Sequence, residues 1–284
     1  MAVLITGCGG QLGTELCSRL GRNASGVDVA EIDLTNDQQI RDGILSRSPT
    51  AVINAAAYTA VDLAEEKRDL CYRINARAVE TLATVTAELA IPLVQISTDY
   101  VFGDVPRMKV ARRETDSIAP QGEYAKSKAA GEEAARINPQ HFVVRTCGLY
   151  GLGGPTAAGN FVKTMLRLGE SKEFVSVVND QECTPTWIPE LARAILFLLQ
   201  TSEFGTYHVT NQGATTWFDM TKEIFRQAKL NCEVRAITTA QFGAAAPRPS
   251  YSVLDTSKYH SLGGPVMSAW QDALAGFLRQ LNRA

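Results

Sequence analysis

Thr6-Gly7-Cys8-Gly9-Gly10-Gln11-Leu12-Gly13 is the stretch that decides the fold. Ahead of it, residues 2–6 are an apolar, strand-like run, and behind it residues 11–20 carry helical spacing. Gly7, Gly10 and Gly13 permit a tight turn, close approach of the backbone to a pyrophosphate, and packing of the helix on the strand. The phosphates would sit on the helix N-terminus, beside Gln11 and Leu12 in its first turn. A glycine cluster can also be a plain turn. Strand, glycine loop and helix in this order point instead to a dinucleotide site.

Further out the same alternation repeats. Strand-like runs at 51–54, 92–97 and 142–145 are separated by helical patterns across 67–89 and 124–137. Such alternation argues for a parallel sheet covered by helices on both faces. After about residue 147 the texture changes to a glycine-rich loop, a short helix and mixed pieces. Strands are expected at 175–178 and 206–209, helices at 188–200 and 217–228, and a loop at 240–250. The expected fold is α/β: a Rossmann-type doubly wound parallel sheet with a smaller, discontinuous C-terminal α/β substrate lobe. The sheet domain covers 1–147, with elements around 177–209 returning to it. The lobe takes 148–176 and 210–284.

Bulk composition narrows the function classes. The chain has 284 residues, is 45% hydrophobic and carries a formal net charge of −2, which suits a compact unit with a smaller partner lobe. Near-zero charge without a basic run leaves no footprint for nucleic acid or an anionic membrane. Cys8, Cys17, Cys71, Cys147, Cys183 and Cys232 are scattered without a Cys-x-x-Cys, and there are three histidines. A disulfide framework or zinc site is therefore not expected, and a cytoplasmic location is. Residues 1–6 read as a strand rather than a signal peptide. The most apolar helical run, 191–199, is short and contains Arg193, so no membrane span is expected.

Candidate functional residues fall at strand tips and on one helix. An acid about 20 residues beyond the glycine loop is expected to bind the adenosine ribose. Two candidates exist, Asp28 and Asp33, the latter followed by Leu34. Either favours NAD, and no arginine follows that would obviously hold a 2′-phosphate. Asn54-Ala55-Ala56-Ala57-Tyr58-Thr59 closes the next strand with small residues, where a cofactor can lie against the backbone; a packing seam is the plainer alternative. Thr98, at the end of 92–97, is placed to hydrogen-bond a substrate carbonyl, or merely to close the strand as a hydroxyl turn. Tyr124 and Lys128 lie four residues apart in a helical stretch and so share a face. An ammonium there would stabilise a phenolate, bring its pKa towards neutrality and bind a ribose diol. A solvated helix face would show the same pair.

Together Thr6-Gly-x-x-Gly-x-x-Gly13, Asn54-Ala-Ala-Ala-Tyr-Thr, Ser97-Thr-Asp-Tyr-Val-Phe and Tyr124-x-x-x-Lys128 resemble an extended short-chain dehydrogenase. Arg145-Thr-Cys-Gly-Leu-Tyr-Gly151, Asn160-Phe-Val-Lys-Thr-Met165, Asn179-Asp-Gln-Glu-Cys-Thr-Pro-Thr186 and Arg248-Pro-x-Tyr-Ser252 are similar to the dTDP-4-dehydrorhamnose reductase family, over nearly the whole chain. That resemblance implies reduction of the 4-keto group of a dTDP-linked 6-deoxyhexulose by NADPH or NADH. It implies Tyr124 as proton donor, Lys128 as its modulator and ribose ligand, and Thr98 at the carbonyl. Asp99 and Tyr100 would line the sugar pocket, and Asn160, Gln181 and Arg248 would lie near the nucleotide-sugar. By its chemistry Arg248 suits the diphosphate.

Two departures stand out. Gly148 replaces the family's tryptophan beside the sugar, with Tyr150 or Trp187 as the neighbouring aromatics available to fill the gap. Some members bind magnesium between the subunits of a homodimer through glutamates. Glu15 and Glu190 match two such positions, no third acid follows near the C-terminus, and both also read as helix-surface acids. A sugar-nucleotide dehydratase is disfavoured by Tyr100, where that class resembles a Thr-Asp-Glu triplet. An epimerase, another 4-keto-sugar reductase, or a non-catalytic NADP-binding subunit resembling that of methionine adenosyltransferase are the remaining alternatives.

Overall fold

The structure, a computed structural model, describes residues 2–104, 109–154 and 159–283. β1 (Val3–Thr6) runs into α1 (Gln11–Leu20), followed by β2 (Ala24–Val27), α2 (Asp37–Arg47) and β3 (Ala51–Asn54). Next come α3 (Arg68–Tyr72), a π-helical turn at Arg73–Arg77, and α4 (Ala78–Glu88). β4 (Leu93–Thr98), α5 (Gly122–Ala135) and β5 (His141–Thr146) complete the first half. Beyond it lie β6 (Leu149–Tyr150), α6 (Phe161–Ser171), β7 (Phe174–Val178), β8 (Glu182–Cys183), β9 (Thr186–Trp187), α7 (Ile188–Leu198) and β10 (Gly205–His208). The chain ends through β11 (Thr215–Thr216), α8 (Trp217–Ala228), β12 (Glu233–Ile237), α9 (Thr239–Phe242), α10 (Ser257–Ser261) and α11 (Trp270–Leu281).

Six parallel strands form the main sheet in the order β10-β5-β4-β3-β1-β2. Successive strand residues point to opposite faces, so each strand serves two cores. Leu4, Val52, Leu93 and Val143 pack with Ile40 and Ile44 of α2 and Val79 and Leu82 of α4. Ile5, Ile53, Val94 and Val144 pack on the other side with Leu16 of α1 and Leu191 and Ile195 of α7. Strands buried on both faces are apolar throughout, which is why they read as unbroken runs. The chain leaves β1 to one side for β2 and returns on the other for β3, so the strand order reverses there. At such a switch point a crevice opens beyond the carboxyl ends of the strands.

The second half shuttles between two bodies of packing. α7 and β10 return to the main sheet, whereas β7 pairs in parallel with β12 in a separate two-stranded sheet. A third core, including Val162, Ile224, Phe225, Trp270, Leu274 and Phe277, joins α6, α8 and α11 over that sheet. This lobe overhangs the crevice at the strand tips.

Candidate active site

Gly7 has φ +69, and a Cβ on it would lie 2.8 Å from Ala56 Cα. Backbone therefore meets backbone between the glycine loop and the tip of β3, a contact that a side chain would prevent. Gly13 serves the same turn from behind, since its Cβ would fall 2.1 Å from the Gly7 carbonyl oxygen. Gly10 begins α1 without a side-chain cap, and no acid stands in the first turn. The helix thus presents free N–H groups and a partial positive charge to a cleft of about 700 Å³ lined by Gly7, Gly10, Gln11 and Leu12.

Both acids considered for the ribose lie in an adjoining recess of about 160 Å³, with Val27, Ile32, Leu34 and Ala56. Asp28 Oδ2 accepts the Gly9 N–H at 3.0 Å and so braces the glycine loop from the end of β2. Asp33 Oδ1 accepts the amide and hydroxyl of Thr35, each at 2.8 Å, which hold its carboxyl below the usual range. Asp28 faces the loop, and Asp33 closes its own turn. These apolar walls and two acceptors fit an adenosine, and the open helix end fits its pyrophosphate.

Across the floor, Thr6 donates to Asn54 Oδ1 (2.6 Å) and Asn54 Nδ2 donates to Gln95 Oε1 (2.7 Å). This buried polar chain joins β1, β3 and β4 at one level and sets the height at which Ala55, Ala56 and Ala57 enter the cleft. Tyr58 does not line the cleft; the Asn75 side chain grips its backbone, accepting its N–H at 2.9 Å and donating to its carbonyl at 3.1 Å. Asn75 sits in the π-helical turn and also donates to Ser127 Oγ on α5. The long helix expected across 67–89 is therefore interrupted, and the interruption aims a side chain. Nothing in the apolar spacing of 67–89 betrays it.

α5 carries Tyr124, Lys128 and Glu132 one turn apart on one face. Tyr124 meets Tyr100 edge to face, with ring centroids 6.1 Å apart. Burial, and next the Asp99 carboxylate, push the Tyr124 phenol up, while the Thr98 hydroxyl works the other way. Lys128 reaches past it: its Nζ donates to the Ile96 carbonyl at 2.6 Å, and burial brings its pKa down to about 8 against the supporting charge of Glu132. The expected lowering of the phenol by the lysine is thus absent here, because the ammonium is drawn to the backbone of β4. Behind it, Glu132 accepts Arg145 Nε (2.9 Å) and Nη2 (2.7 Å) and the Ser97 hydroxyl (2.6 Å), all out of water. Glu132, Arg145 and Asn75 were not singled out in the sequence; the i, i+4, i+8 spacing from Tyr124 was the available signal for Glu132.

Thr98 projects from the tip of β4, donating to Asp99 Oδ1 at 3.0 Å and accepting the Tyr100 N–H at 3.2 Å. Asp99 and Tyr100 line the cleft together with Gly148. Three residues expected near the nucleotide-sugar are engaged by the protein itself. Asn160 caps α6 through Lys163 N (3.0 Å), and its Nδ2 donates to Gln11 Oε1 and the Gly151 carbonyl, each at 2.8 Å. Gln181 donates to Thr239 Oγ1 at 2.9 Å in a side recess behind Tyr100. Arg248 forks onto Asp62 at 3.0 and 2.8 Å. Trp217, also missed in the sequence, lines the cleft opposite Gly148.

Within this one chain, neither glutamate matched to the magnesium positions is left without a partner. Glu15 pairs with Arg19 at 2.7 Å on α1. Both Glu190 oxygens are taken, by Asn211 Nδ2 (2.6 Å) and by the amide and hydroxyl of Ser268. Among the described residues there is no group of three acids, histidines or cysteines able to hold a metal.

A glycine loop at a sheet switch point, facing Thr98, Tyr124 and Lys128 across one cleft, defines a nicotinamide-dependent oxidoreductase of the extended short-chain dehydrogenase kind. The chain belongs to the family described as RmlD substrate binding domain, whose model matches residues 1–283. A dTDP-4-dehydrorhamnose reductase of Aggregatibacter actinomycetemcomitans is 37% identical to it, over 96% of this chain and 96% of its own. The crystal structure of a dTDP-4-dehydrorhamnose reductase from Clostridium acetobutylicum superposes with a TM-score of 0.94 at 38% identity, covering 99% of this chain and 100% of that one. A dTDP-4-dehydrorhamnose reductase from Bacillus anthracis, solved in complex with NADP, gives 0.93 at 39% identity, with coverage of 99% and 100%.

Proposed function

We propose that this chain reduces the 4-keto group of dTDP-4-dehydro-L-rhamnose to give dTDP-L-rhamnose, using NADPH or NADH, as a step in making a deoxysugar precursor. One observation carries the reading: Thr98, Tyr124 and Lys128 open into the same cleft as Gly7, Gly10 and Ala56. The names of the relatives, and NADP bound to one of them, support it. In this reading residues 1–147, with returning elements around 177–209, hold the dinucleotide, and 148–176 and 210–284 hold the nucleotide-sugar.

When bound, the reduced nicotinamide supplies hydride to the carbonyl carbon. Tyr124 passes its phenolic proton to the carbonyl oxygen as that oxygen becomes an alkoxide. A phenol pushed up by burial and Asp99 is protonated throughout the neutral range, the state a proton donor needs. Thr98 turns its hydroxyl from Asp99 Oδ1 to the same oxygen, a rotation about one bond. Lys128 brings positive charge into the cleft and donates to the ribose diol. Arg248 exchanges Asp62 for the diphosphate, which presents the same paired oxygens to its fork.

Asp28 in the ribose recess favours a free 2′-hydroxyl, whereas the Bacillus anthracis relative holds NADP, so both cofactors are used. None of the helices among the described residues is long and apolar enough to cross a membrane, and the cysteines are free thiols, which supports a cytoplasmic protein. A homodimer belongs to the proposal on grounds of resemblance, and light scattering of the purified protein tests it. The activity is tested by mixing protein, dTDP-4-dehydrorhamnose and NADPH or NADH and following cofactor absorbance. Cofactor binding without turnover would refute the reductase reading.

A further inference from the structure

Gly148 has φ +53, a left-handed backbone that side chains seldom adopt, and a Cβ there would lie 3.1 Å from Trp217 Cη2 and 3.3 Å from Pro185 Cα. The space a side chain at 148 would enter is already closed, and the indole that closes it comes from the first turn of α8. Neither nearer aromatic does so. Tyr150 is buried against Phe277 at 5.5 Å, and Trp187 packs over Gly276, whose Cβ would lie 2.8 Å from the indole.

Several contacts fix Trp217. Thr216 caps its helix by accepting Asp219 N at 3.0 Å and donates to Asn179 Oδ1 at 2.9 Å. Phe161 packs on the indole with centroids 4.6 Å apart at 51°. The ring borders the main cleft beside Tyr100 and Cys147, and also the small recess behind it beside Gln181 and Pro249, so it stands as a partition between them. The residue is half-buried, and its Nε1–H donates to no acceptor among the described residues. The wall therefore offers an apolar face and one unspent donor.

We propose that Trp217 is a specificity-determining residue: its ring packs against the methyl-bearing edge of the 6-deoxy-4-ketohexose, and its N–H serves a sugar hydroxyl. This rests on the reductase reading above. The ring's apolar face suits a methyl group and gives the hydroxyl of a hydroxymethyl sugar neither donor nor acceptor, so it selects the deoxy sugar. A methyl-sized contact in an apolar pocket is worth roughly 10–200-fold in discrimination.

The test compares dTDP-L-rhamnose with dTDP, which lacks the sugar, by titration calorimetry on wild type, Trp217→Ala and Trp217→Phe. Trp217→Ala should weaken dTDP-L-rhamnose by roughly 10–200-fold and leave dTDP and NADPH within about twofold, with Trp217→Phe recovering most of the loss. NADPH affinity reports that each variant is folded, and Trp217→Phe carries the test if the alanine variant is not. An equal loss for dTDP and dTDP-L-rhamnose would make Trp217 a nucleotide contact and overturn the proposal. Unchanged dTDP-L-rhamnose binding in Trp217→Ala, beside a wild type that turns over, would overturn it while sparing the reductase reading. A wild type that binds NADPH but shows neither turnover nor dTDP-L-rhamnose binding would overturn both.

Discussion

Tyr124 is boxed by Tyr100, Asp99 and Thr98, and Lys128 is one turn further along α5 with its ammonium on the Ile96 carbonyl. Tyr124→Phe removes the proton and little else, so kcat should fall by about 10²–10⁴-fold while the cofactor Kd holds. Turnover close to wild type would transfer the proton donation elsewhere. The Lys128 shift gives a pH signature. Its charged form, which the ribose diol needs, is full below about 8 and lost above it. The kcat/KM for NADPH, which reports groups of the free enzyme, should be level below that pH and fall above it. A profile flat to about pH 10, the range of unperturbed lysine, would remove Lys128 from cofactor binding. Gly148→Trp, which the sequence suggests would refill a gap, should instead lower kcat/KM for the sugar, because the indole of Trp217 and the φ of +53 already exclude it. The chemistry of these residues was legible from types and spacing. Trp217 was not, since nothing local in the chain brings the start of α8 to face Gly148.

Behind the lysine, Glu132 and Arg145 form an ion pair that fastens α5 to the tips of β4 and β5, with Ser97 as a third member. A buried pair contributes little net, but removing one partner strands the other, so Arg145→Met should destabilise the fold by about 3–5 kcal/mol in chemical denaturation. A loss under about 1 kcal/mol would mean that water reaches Glu132. On the same network, His208 Nε2 lies 3.3 Å from Arg145 Nη1, and burial, then the guanidinium, lower its pKa to about 3. The unfolded chain binds that proton below about 6.5 and the folded chain does not, so stability falls as the pH drops from 6.5 towards 3. The buried strands β1, β3, β4 and β5 were legible because both their faces are apolar. α2 was not: its core-facing Ile40 and Ile44 are sparse, and Asn36, which caps it through Gln38 N and Gln39 N, reads as a loop residue. The two-residue strands β6, β8, β9 and β11 carry no periodicity at all. β12 and α11 went unread because their apolar faces are completed only by the rest of the third core.

At the scale of the whole molecule the cleft exists because two bodies of packing are stitched across it. Asn160 on Gln11 ties the lobe to the glycine loop, and Arg248 on Asp62 ties it to the segment after β3. Those polar stitches are the residues that resemblance assigns to ligand, and under the proposed function substrate entry would exchange protein partners for substrate oxygens. With Asp28 in the recess proposed for the ribose, NADH and NADPH should support turnover within about tenfold, or roughly 1.4 kcal/mol. A thousandfold preference for NADPH would show that Asp28 does not face the ribose, and one for NADH would contradict the dual use. The most direct measurement is the rate of NADPH or NADH oxidation on adding enzymatically prepared dTDP-4-dehydrorhamnose to wild type and to Tyr124→Phe. Rapid loss of cofactor absorbance in the first, with dTDP-L-rhamnose as product and a rate at least about a hundredfold lower in the second, is the predicted result. A wild type that binds either cofactor yet leaves its absorbance unchanged would contradict it.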